Sequence, residues 1–118
     1  MDRRIQAVMA RMESEPAVQF SELAAMVNLS LSRLRHLFKK EVGVTPTQYL
    51  KEWRLRRAEQ LLRTTFLSVK EVVDQLGLST GSHFVGDFKK LYGMSPSEYR
   101  LRNGLVRKKR ETSKEEDV

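Results

Sequence analysis

Ser32, Arg33, Arg35 and His36 fall within five residues and are followed by Lys39 and Lys40; Ser79, Thr80, Ser82 and His83 are followed in the same way by Lys89 and Lys90. Side chains of this kind recognise a ligand noncovalently. A guanidinium donates two hydrogen bonds to O6 and N7 of guanine, and a hydroxyl or imidazole bonds one base edge or one phosphate. Lysines at the end of such a set can neutralise phosphate, or they can be solvated and complement the helix dipole. Catalysis asks for a different constellation. The chain has two histidines, one in each set, no cysteine and no glycine-rich phosphate loop. It is therefore expected not to be an enzyme, with no catalytic residue, no metal ligand and no cofactor.

Both sets sit at matching places in an internal repeat. Residues 20–49, FSELAAMVNLSLSRLRHLFKKEVGVTPTQY, recur as VKEVVDQLGLSTGSHFVGDFKKLYGMSPSEY over residues 69–99, with one residue inserted between Ser79 and Phe88. The register runs through Leu29/Leu78, Ser30/Ser79, Phe38/Phe88, Gly43/Gly93, Pro46/Pro96 and Tyr49/Tyr99. Two copies of one binding unit suggest a ligand that itself repeats.

The elements that must position these residues are helices. Ile5, Val8, Met9 and Met12 recur at helical spacing, as do Phe20, Leu23, Ala24 and Val27, and Val69, Val72, Val73 and Leu76. Thr45-Pro-Thr-Gln48, Ser68-Val-Lys-Glu71 and Ser95-Pro-Ser-Glu98 are capping boxes, two of them with proline at the first helical position. Gly43 and Gly93 stand where a left-handed residue closes a helix. Seven helices and no strand are expected, an all-α chain. Within each repeat, Asn28-Leu29-Ser30 and Gly77-Leu78-Ser79 separate two helices. Asn or Gly accepts the positive φ of a tight corner, the leucine plugs it, and the serine caps the next helix. That is a helix-turn-helix, twice: one over about 20–42 and one over about 69–92.

Composition agrees with an anionic partner. Lys and Arg number 22 against 15 Asp and Glu, a net charge of +7 on 118 residues. The tail after Arg102 carries five basic and four acidic residues, so +6 remains on residues 1–102. Arg107-Lys-Lys-Arg110 runs into Glu115-Glu-Asp117, and residues 103–118 are expected to be a charged, disordered tail. No apolar run has the length of a membrane span or signal-peptide core, so no membrane partner is expected and the cytoplasm is the default location.

The order of short helix, turn, Phe38-Lys-Lys helix, Gly43-Val-Thr-Pro46, Arg-rich helix, second short helix, second turn, Phe88-Lys-Lys helix and Gly93-Met-Ser-Pro-Ser-Glu-Tyr-Arg100 resembles the DNA-binding domain of the AraC/XylS family of bacterial transcription regulators. Arg54-Leu-x-x-Ala58-x-x-Leu-Leu62 adds to the match, which covers residues 3–102. The resemblance implies a seven-helix, homeodomain-like fold of two subdomains, with two recognition helices in successive major grooves of double-stranded DNA. It places Ser32, Arg35 and His36 at base-contacting positions. It also implies regulation of transcription, with RNA polymerase as a further partner of an activator, and a monomer on an asymmetric site. The first helical stretch begins almost at Met1, so the chain is read as part of a longer regulator or as a stand-alone form.

The linker between the motifs, about 46–64, would span roughly 28 Å at about 1.5 Å per residue, against about 34 Å for a turn of B-DNA. Leu50, Trp53, Ala58, Leu61 and Leu62 are its expected apolar contacts, with Trp53 in the core rather than stacked on a base. Arg54 is open to either a phosphate contact or an internal ion pair. In the first motif Leu34, Leu37 and Phe38 should face inward and Ser32, Arg33, Arg35, His36, Lys39 and Lys40 outward. In the second, Phe84, Phe88 and Leu91 should face inward, and Thr80, Ser82, His83 and Gly86 outward, with Ser79, Lys89 and Lys90 at phosphates. Gly86 and Asp87 leave this second face without an arginine, so it is expected to read less sequence; the alternative is that Gly86 permits a close approach. The competing functional class is a helical protein-interaction module that uses the helix-turn-helix for docking. RNA is disfavoured because no aromatic platform for splayed bases is present.

Overall fold

The computed structural model describes residues 1–78 and 81–106, with residues 81 and 82 described through their helical backbone alone. Among these, seven helices and no strand occur: α1 (Arg3–Ser14), α2 (Phe20–Met26), α3 (Leu31–Val42), α4 (Pro46–Thr64), α5 (Val69–Gln75), α6 (Gly81–Tyr92) and α7 (Pro96–Asn103). The capping boxes form as their spacing demands. The hydroxyls of Thr45, Ser68 and Ser95 each accept the N–H three residues on, and Gln48, Glu71 and Glu98 each reach back to the cap N–H. Asn28 at φ 58° and Gly77 at φ 71° make the two corners in the left-handed region, while Leu29 and Leu78 fill them.

Two cores result. Ile5, Val8 and Met12 of α1 close over Leu23, Ala24, Leu34 and Phe38, with Leu50 from the start of α4. Leu55, Ala58, Leu61 and Leu62 of α4 close over Val72, Leu76, Phe84 and Phe88. The long helix is thus divided between Leu50 and Leu55, and its second part does for the second unit what α1 does for the first. Ile5-Val8-Met12 and Leu55-Ala58-Leu62 have the same 3, 4 spacing, so the repeat begins one helix earlier than residue 20. Paired tyrosines mark the same relation. Tyr49 donates its hydroxyl to Glu13 Oε2 of α1 at 2.5 Å, and Tyr99 donates to Glu59 of α4. Burial, then Glu13, pushes the Tyr49 hydroxyl up to about 12, so it remains a donor through the physiological range.

One inward assignment is corrected. Leu91 is 56% exposed. The inward stripe of α6 runs Phe84, Phe88, Tyr92, four residues at a time, with ring centroids 5.7 and 4.6 Å apart. Such a stripe drifts around the helix and leaves Leu91 behind it. Its counterpart Glu41 is likewise a rim position, where it accepts the N–H of Asp2 at 2.6 Å. Trp53 packs against the second core. Of the tail expected to be disordered over 103–118, Asn103 is the last residue of α7 and the Gly104 N–H donates to the Arg100 carbonyl at 2.8 Å, while residues 107–118 lie outside the described residues.

Candidate nucleic-acid interface

Buried Leu34 and Phe38 orient α3, and everything on its opposite side faces water: Ser32, Arg33, Arg35, His36, Lys39 and Lys40 are all exposed, and Leu37 is half-buried. Ser30 caps the helix by accepting the Arg33 N–H at 3.1 Å, which sets the start of the reading turn. Arg35, His36, Lys39, Lys40 and Thr45 line a shallow groove of about 400 Å³.

Several arginines away from this face are engaged within the chain. Arg4 pairs with Asp2, Arg11 with Glu15 and Glu22, and Arg63 with Glu59. Arg100 donates to the carbonyls of Leu62 and Leu67, tying α7 to the end of α4. Among the described residues, no side-chain hydrogen bond or ion pair engages Arg33, Arg35, His36, Lys39 or Lys40. Unpaired charges gathered on one helix face are available to an external anion at no internal cost.

Among the described residues Arg54 forms no internal ion pair. Its guanidinium is half-buried, donates through Nη2 to the Pro16 carbonyl, and is pulled below its ordinary value by desolvation. Its Nε is buried without a partner. Arg54 is therefore a clasp between the α1–α2 loop and α4. The same loop touches the second unit directly, because a Cβ added at Gly77 would lie 2.6 Å from Cα and Cβ of Ala17. Lys51 Nζ sits 3.3 Å from Asp87 Oδ2, bridging α4 and α6. The two helix-turn-helix units are thus docked against each other as well as strung on one helix. Sequence reasoning missed this junction; its one local signal is Gly77, where the first repeat has Asn28.

On α6, Lys89 and Lys90 are exposed like their counterparts. His83, also exposed, lies on the flank towards α4, where it shares a cleft of about 150 Å³ with Lys51, Arg54 and Asp87. Asp87 is turned to Lys51, so its charge is directed away from the outward face. Gly86 is exposed, with no heavy atom within 4 Å of a would-be Cβ. Val85, not singled out from sequence, is exposed at 38%. Ser79 and Thr80 lie outside the described residues, as does the side chain of Ser82. No described His, Asp or Glu residues cluster in a way that could hold a metal ion, and no described helix is long and apolar enough to cross a membrane.

Two helix-turn-helix units on a shared long helix, the first with a free basic face, define a class. The helix-turn-helix domain family profile matches residues 23–102, and the chain belongs to the AraC-type helix-turn-helix family. Among its relatives, the HTH-type transcriptional regulator GbdR of Pseudomonas aeruginosa is 34% identical over 99 residues, 82% of this chain and 27% of GbdR. The HTH-type transcriptional activator RhaS of Escherichia coli is 33% identical over 106 residues, 87% of this chain and 38% of RhaS. The chain thus spans well under half the length of either. Among solved structures, the DNA-binding domain of the global transcriptional factor AdpA, in complex with a target DNA, superposes with a TM-score of 0.75 at 30% identity, covering 84% of this chain and 91% of that one. An AraC-type regulator from Chromobacterium violaceum gives 0.73 at 29% identity, covering 86% and 92%.

Proposed function

We propose that this chain binds double-stranded DNA sequence-specifically and regulates transcription, with α3 and α6 in successive major grooves on one face of the duplex. The observation that carries the reading is the basic face of α3, whose cations are unpaired while the arginines at the unit junctions are engaged. In this reading residues 3–102 form the DNA-binding unit, with its two helix-turn-helix motifs at 20–42 and 69–92. Arg35 reads guanine, Ser32, Arg33 and His36 contact bases or phosphate beside it, and Lys39, Lys40, Lys89 and Lys90 hold phosphates. Thr80, Ser82 and His83 are the second unit's polar contacts and Ser79 its phosphate contact. Arg54 acts through the geometry of the junction. The chain works as a monomer, in the cytoplasm at the nucleoid, with no catalytic step; an activator of this kind would also touch RNA polymerase.

The test is a duplex selected from random DNA and footprinted with hydroxyl radicals. One monomer should protect two segments about one helical turn apart, without palindromy. An insertion of about five base pairs between them turns the second segment to the opposite face, since a turn holds about 10 to 10.5 base pairs. Because the units are docked, affinity should then collapse to that of one unit. Unchanged affinity would dismiss the two-groove reading, and absence of any bound duplex would dismiss DNA binding.

A further inference from the structure

The buried pairs Leu34/Phe84 and Phe38/Phe88 align the two recognition helices, so Arg35 corresponds to Val85 and His36 to Gly86. All four are exposed. Val85 is therefore an apolar, β-branched side chain on the outer side of α6 that keeps 38% of its surface open to water. Gly86 beside it weakens the helix further, although the open space around it shows that nothing inside the molecule requires a glycine there. Both choices are unfavourable for the helix alone. Both make sense if an outside surface comes close at residue 86 and offers an apolar group at residue 85.

Resting on the reading of α6 as the second groove-entering helix, we propose that Val85 is a specificity-determining residue that packs on the 5-methyl group of thymine. In the major groove the thymine methyl is the apolar feature of the base edges, whereas guanine, adenine and cytosine present donors or acceptors that a valine would leave unmatched. Valine is much shorter than arginine, so it reaches a base only if the helix backbone sits deeper than α3 does. The missing side chain at Gly86 permits that approach. Lys89 and Lys90, exposed in the following turn, are placed to hold the backbone on either side. The second unit then reads by methyl contact what the first reads by hydrogen bonds, and the two segments of the site differ in chemistry: guanine under Arg35, thymine under Val85.

The experiment uses a selected duplex in which each thymine of the second segment is replaced, one at a time, by deoxyuridine, which removes the methyl and nothing else. Burying one methyl group corresponds to about a threefold to fivefold change in affinity. The chain should lose that factor at one or two thymines of the second segment. Val85→Ala, which is exposed and raises helix propensity, should fold normally, bind the parent duplex more weakly, and show no further loss on uracil substitution. A duplex that tolerates uracil throughout the second segment overturns the inference, as does a uracil penalty that persists in Val85→Ala. Either result leaves DNA binding intact, whereas a chain that selects no duplex overturns both.

Discussion

Gly77→Ala isolates the contact that docks the two units. The perturbation carries two costs. At φ 71° any side chain meets the left-handed penalty of about 1–2 kcal/mol. The new Cβ would also lie 2.6 Å from both Cα and Cβ of Ala17 and 3.2 Å from its nitrogen, against about 3.5–4.0 Å for carbon atoms in contact. The α1–α2 loop must therefore back away from the second unit, an overpacking strain of about 1–3 kcal/mol. The expected loss is about 2–5 kcal/mol. Gly93→Ala is the internal control, at φ 80° with no heavy atom within 4 Å of its Cβ, and should lose only the first part. Urea unfolding of both variants measures the difference, and in a domain of this size each kcal/mol lowers the thermal midpoint by about 4 °C or more. Ala17→Gly should recover part of the loss in Gly77→Ala and none in Gly93→Ala. Losses that agree within about 0.5 kcal/mol, with no coupling to residue 17, would refute the docking argument.

Two further outcomes are expected. Arg35→Ala should leave the unfolding midpoint nearly unchanged, because nothing inside the chain holds that side chain, and should cost about 1–3 kcal/mol of duplex affinity with relaxed preference at one or two base pairs. Arg54→Met should do the reverse and lose about 1.5–3 kcal/mol of stability with the bond to Pro16; matching profiles for the two variants would contradict the assignment. Acid should destabilise the fold. Glu59 is held below its ordinary value by its bond from Arg63, and Glu71 and Glu98 by the cap N–H groups of Ser68 and Ser95. Carboxyls depressed by folding contribute stability that is present above their unfolded value of 4.5 and is lost as pH falls through the folded values. Thermal midpoints should thus be level above about pH 5 and fall below it. Glu71→Gln with Glu98→Gln, which keeps both capping boxes, should make that fall shallower; an unaltered acid limb would remove the caps from the explanation.

What the sequence determined by itself is local. A capping box needs residues three apart, a left-handed corner needs Asn28 or Gly77, and an amphipathic helix needs its own period. The seven helices, the turns and the outward set Ser32, Arg33, Arg35, His36, Lys39 and Lys40 were accordingly legible, because α3 is oriented by Leu34 and Phe38 within its own length. The tertiary structure decided whatever depends on elements distant in the chain. Arg54 has an ordinary place in an Arg-rich stretch, and only the arrival of Pro16 from the α1–α2 loop turns it inward. Asp87 beside Gly86 suggests a repulsive reading face until Lys51 of α4 claims it. Leu91 has the spacing of an inward residue, yet the Phe84-Phe88-Tyr92 stripe sets the helix by ring packing and leaves it in water. Periodicity constrains which side chains share a face; the facing surface, assembled from other segments, decides which of them it covers.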